Sequence, residues 1–158
     1  MTITQKKIVS TIISAPWIFT SNNESKLLSN YSLVIEGDTI IDLVSQAQVF
    51  NQYESSNLYD LSDHILIPGL INTHTHAAMN LFKGFADDLP LQEWLNDYIW
   101  PAEKEFVNPL FVKDGSMLAI SEMIKAGVTT FNDMYFFPDA TAQASIEFGI
   151  RSNIGLVV

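Results

Sequence analysis

The sequence predicts an α/β protein: a small β-rich unit over residues 1–67, then strands alternating with helices over residues 68–158. Three observations carry this expectation. Short β-branched runs are separated by turn residues as far as Pro68-Gly69. Beyond that point the hydrophobic rhythm switches between the strand and helix periods, the mark of βαβ units around a parallel sheet. A complete eight-unit βα barrel takes about 250 residues, roughly 30 per unit, so the second region has room for about three units. On pattern alone the opening of a barrel and a doubly wound sheet both remain open.

The elements follow in order. "MTITQKKIVSTIISAPWIF" has two lysines ahead of an apolar stretch, as a signal peptide does, but Ser10, Thr11 and Ser14 interrupt it and a domain-opening strand reads equally well. "YSLVIEGDTIIDLV" is a hairpin, with Gly37 supplying the positive φ of its turn. "SQAQVFNQY" suggests one or two helical turns, and "NLYDLSDHILIP" returns to strand composition.

"LINTH" opens the alternating region as a strand. In "LPLQEWLNDYIW" the residues Leu91, Trp94, Leu95 and Tyr98 share one face of a helix that Pro101 is expected to stop. Asn108-Pro109 starts the next helix, as N-cap and first-turn proline. Its apolar face is expected through Leu110, Met117, Ile120 and Ile124, with Gly127 as its left-handed cap. "VTTFNDMYF" is a strand, "PDATAQASIEFG" a helix, and "IRSNIGLVV" a last apolar strand. An apolar strand with an unpaired edge aggregates, so the isolated chain is expected to be poorly soluble.

Composition narrows the function. Of 158 residues, 47% are hydrophobic and 16% charged, which suits a folded domain. The net charge of −10, without clustered Lys or Arg, argues against a nucleic-acid partner. No apolar run reaches the roughly 18 residues of a membrane span, so no membrane role is expected and a cytoplasmic location is the default. With no cysteine, neither a disulfide nor a thiolate ligand is available.

Two of the three histidines stand one residue apart, His74 and His76, behind the apolar strand. Alternate strand residues share a face, which groups Asn72, His74 and His76 against Thr73 and Thr75. Two imidazoles on one face at a strand end can reach one ion, although zinc takes three or four protein ligands. His-x-His pairs also occur on exposed strands without a metal. His64 lies in the preceding unit and reads as structural or exposed. Asp133 ends the second strand and could face the pocket, with no role assigned.

The extended run "PGLINTHTHAAMNLFKGFADDLPLQEWLNDYIWPAE", together with "EMIKAGVTTFNDMYFFP", resembles the amidohydrolase superfamily. Within it the likeness is to the 5-methylthioadenosine/S-adenosylhomocysteine deaminase and triazine-hydrolase-like branch. The resemblance implies the first part of a (β/α)8 TIM-type barrel, about three βα units, behind part of a β-sandwich. It implies His74 and His76 as ligands of one divalent ion, zinc. It also implies Glu103 as the group that holds the ribose hydroxyls of a nucleoside-like small-molecule substrate, and Trp94 beside that substrate. For Trp94, one more apolar residue on a helix face is an equal reading; for Glu103 the alternative is a solvated carboxylate beside Lys104 and Glu105.

The remaining ligands of that family, two later histidines and an aspartate, have no counterpart in this chain. It therefore reads as an N-terminal fragment without catalytic residues of its own, inactive in isolation, from an enzyme that could be a homo-oligomer. The implied chemistry is hydrolytic deamination. A related hydrolase acting on a triazine, guanine or pyrimidine-like ring, and a catalytically inactive chain, are the alternatives.

Overall fold

The computed structural model describes residues 5–21 and 26–156. It divides into two compact units, Met1–Pro68 and Gly69–Val158.

The first unit contains β1 (Lys7–Ile8), β2 (Thr11–Phe19), β3 (Leu27–Glu36), β4 (Thr39–Ser45), α1 (Gln46–Gln52), β5 (Tyr53–Glu54), β6 (Leu58–Asp60) and β7 (Ile65–Leu66). Its main sheet runs β4-β3-β2-β6, with β7 also on β2 and β1 paired to β5 apart from it. The β3–β4 hairpin forms as expected, with Gly37 at φ 63° in its turn. The signal-like stretch is instead occupied by the long strand β2; residues 1–4 lie outside the described residues. Val9, Ile12, Val34, Val44 and Val49 make the core. β-Branched side chains suit this position because they pack well on a pleated surface.

The second unit contains β8 (Leu70–Thr75), a 3₁₀ segment (Ala77–Phe82), α2 (Leu91–Glu93), a π-helical turn (Trp94–Ile99), α3 (Trp100–Phe106), α4 (Pro109–Lys125), β9 (Val128–Met134), α5 (Pro138–Phe148) and β10 (Arg151–Gly155). The three strands are parallel in the order β8-β9-β10. Phe131 is fully buried and packs with Ala119, Ile120 and Met123 of α4 and Ala144 of α5, so the core lies between sheet and helices. Asn108 caps α4 through its side-chain oxygen, which accepts from the Leu110 and Phe111 amides at 3.0 and 3.1 Å. Val157 and Val158, the end of the last expected strand, lie outside the described residues. Among the described residues no helix is long and apolar enough to cross a membrane.

Three local expectations need correction. Pro101 does not stop the helix, which continues to Phe106. The π turn ends just before it, with the Trp100 amide bonding to the Leu95 carbonyl five residues back. A proline inside a helix lacks one N–H and its ring collides with a carbonyl, and both problems here fall at a break in the ladder. The turn also shifts the buried face: Ile99 and Ala102 are buried, whereas Leu91 and Tyr98 are exposed.

The second correction concerns α4. Its buried face is Val112, Gly115, Ser116, Ala119, Ile120 and Met123, while Leu110 and Ile124 point to solvent. Small residues win because the backbone of the 3₁₀ segment comes close: a Cβ on Gly115 would stand 2.4 Å from the Ala78 carbonyl oxygen.

The third lies in β8. Asn72 pairs with Phe131 and Thr75 with Asp133, so β8 takes three steps where β9 takes two. This bulge breaks the strict alternation. Asn72 turns toward α4, its Nδ2 4.0 Å from the Met123 sulfur. Its Oδ1 accepts the His74 amide at 3.3 Å, a local bond that competes with the sheet ladder.

Candidate active site

β8 ends at Thr75, and His76 turns the chain out of the strand into the 3₁₀ segment, at φ −123° and ψ 72°. The two imidazoles remain neighbours despite the bulge, with ring centroids 5.1 Å apart, edge to face. His76 Nδ1 lies 2.6 Å from the Met134 carbonyl oxygen. A carbonyl only accepts, so Nδ1 is the donor, and in the neutral imidazole Nε2 is then the nitrogen with the free lone pair. That is the form of a metal-ligating histidine whose outer nitrogen is held by a backbone acceptor. The donor set therefore fits a borderline-soft ion such as zinc. Among the described residues no group of three or more His, Cys, Asp or Glu side chains could hold a metal. Two imidazoles are fewer than the three or four protein ligands that zinc takes.

Beside His76 opens a cavity of about 320 Å³ lined by His76, Trp94, Ile99, Glu103, Met134 and Tyr135, among others. Thus three of the four site residues expected from the sequence surround one space, and the fourth, His74, stands against His76. The π turn begins at Trp94 and α3 presents Glu103. His64 is in the other unit, exposed and hydrogen-bonded to Asp63.

Sequence reasoning missed Tyr135. It is buried at the end of β9, and its hydroxyl donates to Glu103 Oε1 at 2.7 Å. Burial pushes its pKa far up, and the hydrogen bond to Glu103 and the charges of Glu103 and Asp133 act in the same direction. The phenol therefore stays protonated and stays a donor. An aromatic residue closing an apolar strand carries no polar signal, so nothing in the pattern marks it.

Asp133 is also more central than expected. It is fully buried on the same side of β9 as Phe131 and Tyr135, two residues away on each side. Its Oδ1 accepts both the Thr75 hydroxyl and the Ala77 amide at 2.7 Å. Its Oδ2 is buried and has no hydrogen-bond partner among the described residues. A charged residue inside an apolar strand is a signal legible in the sequence, since a buried carboxylate needs compensation.

Comparison with known proteins adds four findings. A family model described as the amidohydrolase family matches residues 65–158. The 5-methylthioadenosine/S-adenosylhomocysteine deaminase of Saccharophagus degradans is 46% identical over 156 residues, covering 99% of this chain and 35% of that protein. The 5′-deoxyadenosine deaminase of Methanocaldococcus jannaschii is 49% identical over 122 residues, 76% of this chain and 28% of that protein. Among solved structures, a zinc-bound adenosine deaminase from Xanthomonas campestris superimposes with a TM-score of 0.90 at 33% identity, over 94% of this chain and 34% of that one. The chain thus spans about a third of the length of the relatives it matches.

Proposed function

Because the chain belongs to the amidohydrolase family, we propose that it forms the N-terminal part of a metal-dependent hydrolase that deaminates an adenosine-like nucleoside, 5-methylthioadenosine or S-adenosylhomocysteine. The observation that carries this reading is the single cavity onto which His76, Trp94 and Glu103 converge, with His74 beside it. The deaminase names of relatives 46% and 49% identical support the substrate class, and the zinc in the Xanthomonas structure supports the choice of ion. In this reading the second unit is the opening of a (β/α)8 barrel, and the first is part of a β-sandwich.

His74 and His76 would hold the ion, the latter through Nε2. When bound, a divalent ion supplies Lewis acidity, the property that makes water nucleophilic near neutral pH. The net reaction exchanges the C–N bond of an amino-substituted ring carbon for a C–O bond and releases ammonia.

The chain's own residues do the positioning. Glu103 has one carboxylate oxygen committed to Tyr135, leaving the other to accept from the sugar hydroxyls. A carboxylate suits this because it accepts several hydrogen bonds at once and strongly. Trp94 offers a flat apolar face to a purine ring, and Ile99 and Met134 help keep water from it. This fixes the substrate relative to the histidine pair, and orientation of that kind can supply a large share of a rate enhancement.

The test is ammonia release by the intact gene product, supplied with zinc, on 5-methylthioadenosine, S-adenosylhomocysteine and an aminotriazine. Nucleosides are expected to be turned over and the triazine not. Glu103→Ala is expected to raise KM for the nucleosides by at least about tenfold, the loss of one or more hydrogen bonds to a charged group. Unchanged nucleoside kinetics in that variant would remove the nucleoside assignment.

A further inference from the structure

We propose that Asp133 is the positioning residue of the metal site: its buried carboxylate fixes the strand end that carries both histidines. The inference rests on the reading of His74 and His76 as ligands.

The bulge between Asn72 and Thr75 interrupts the regular register of β8 at Thr73 and His74, and pairing with β9 resumes at Thr75, opposite Asp133. The Asp133 side chain adds a second hold at that point. Its Oδ1 accepts from Thr75, the residue between the two histidines, and from the amide of Ala77, the residue after the second, both at 2.7 Å. The Thr75 hydroxyl also lies 2.9 Å from the Asn132 carbonyl oxygen. The next residue along β9 completes the grip, since the Met134 carbonyl holds the His76 ring itself. Consecutive residues of one strand thus hold the Thr75 side chain before His76, the Ala77 amide after it, and its imidazole, against rotation.

The cost of this arrangement falls on Oδ2, which is buried without a partner among the described residues. The compensation falls on Oδ1. A carboxylate oxygen makes shorter and stronger bonds than an amide or hydroxyl oxygen, which suits a clamp that must hold two donors at once. Outer residues that orient metal-bound histidines typically change metal affinity by about 10–100-fold when removed.

The experiment measures zinc affinity of the intact gene product by chelator competition, alongside thermal melting of the metal-free protein. Asp133→Ala is expected to weaken zinc by about 10–100-fold. Asp133→Asn keeps an acceptor at Oδ1 and should recover most of that loss. Thr75→Val, which removes one of the two donors, should fall between; should Asp133→Ala fail to fold, Thr75→Val carries the test, and wild-type zinc affinity in it overturns the proposal. Ile120→Val, in the core away from the clamp, controls for stability. If it weakens zinc as much as Asp133→Ala for the same fall in melting temperature, Asp133 is merely structural and the proposal fails. His76→Ala separates the two readings. If it binds zinc like the wild type, the ligand assignment is wrong and the inference falls with it. If it loses zinc while Asp133→Ala does not, the inference alone is overturned.

Discussion

Tyr135 turns one carboxylate into a directed acceptor. Its hydroxyl stays protonated because burial, and the carboxylate it serves, both oppose ionisation. Removing that hydroxyl while keeping the ring isolates its contribution. Tyr135→Phe is expected to raise KM for a ribonucleoside about threefold to tenfold, the scale of one hydrogen bond, with kcat little changed. Steady-state kinetics on a nucleoside lacking both ribose hydroxyls should show no difference between variant and wild type. A loss of equal size on that substrate would mean that the tyrosine does not act through Glu103. The residue scale is also where the sequence was least informative. His74 and His76 announce themselves by spacing, but Glu103 and Trp94 came only with the resemblance. Tyr135 was silent, because its partner stands 32 positions away and no local pattern links the two.

Between elements, contact depends on small residues where large ones were expected. Ser116 and Thr141 bring α4 and α5 together through a buried hydroxyl pair at 3.2 Å, and Gly115 lets the segment after the histidines lie against α4. Gly115→Ala is expected to cost about 1–3 kcal/mol as an overpacked contact against backbone, read as a shift of the denaturation midpoint. A neutral result would mean that the 3₁₀ segment moves freely. Around the rim the same two helices are joined by Lys113 and Glu147 at 2.7 Å. The hydrogen bond from Lys113, then that from Gln143, lowers the Glu147 pKa below its usual 4.5. A depressed folded-state value means stability that is present above the unfolded value and lost as pH falls through the folded one. Lys113→Met should therefore be less stable than wild type at neutral pH, with the gap closing below pH 4.5. A gap independent of pH would assign the effect to packing. The Asn-Pro pair identified the start of α4 and its Asn108 cap, and the proline before and glycine after identified α5. Hydrophobic period misplaced the buried face of α4 because side-chain volume, not apolarity, decided which side could approach.

For the molecule as a whole, alternation of strand and helix was legible because each apolar run has one dominant period. The parallel pairing followed from that alternation, while the order β8-β9-β10 is not fixed by alternation alone. The bulge in β8 and the continuation past Pro101 were not legible, since both are adjustments of register settled by neighbours distant in sequence. β8 and β10 are the outer strands of the three-stranded sheet, and Ile71 in β8 and Leu156 just after β10 are 66% and 72% exposed. A polypeptide of residues 1–158 made by itself is expected to self-associate through these edges despite its charge of −10. Sedimentation across a concentration series checks this; a monomer with a single cooperative melt would contradict it.

The π turn settles one more matter, the angle between Trp94 and Glu103. Nine residues of regular helix advance about 900°, which would leave the two side chains on opposite sides. One residue absorbed by the wider turn removes roughly 100° and brings them to within about a quarter of a revolution. A helical wheel drawn from the sequence separates this pair, and the looped-out step reunites it. Shortening the chain by one residue at Asn96 would then regularise the helix while leaving indole and carboxylate facing the same way.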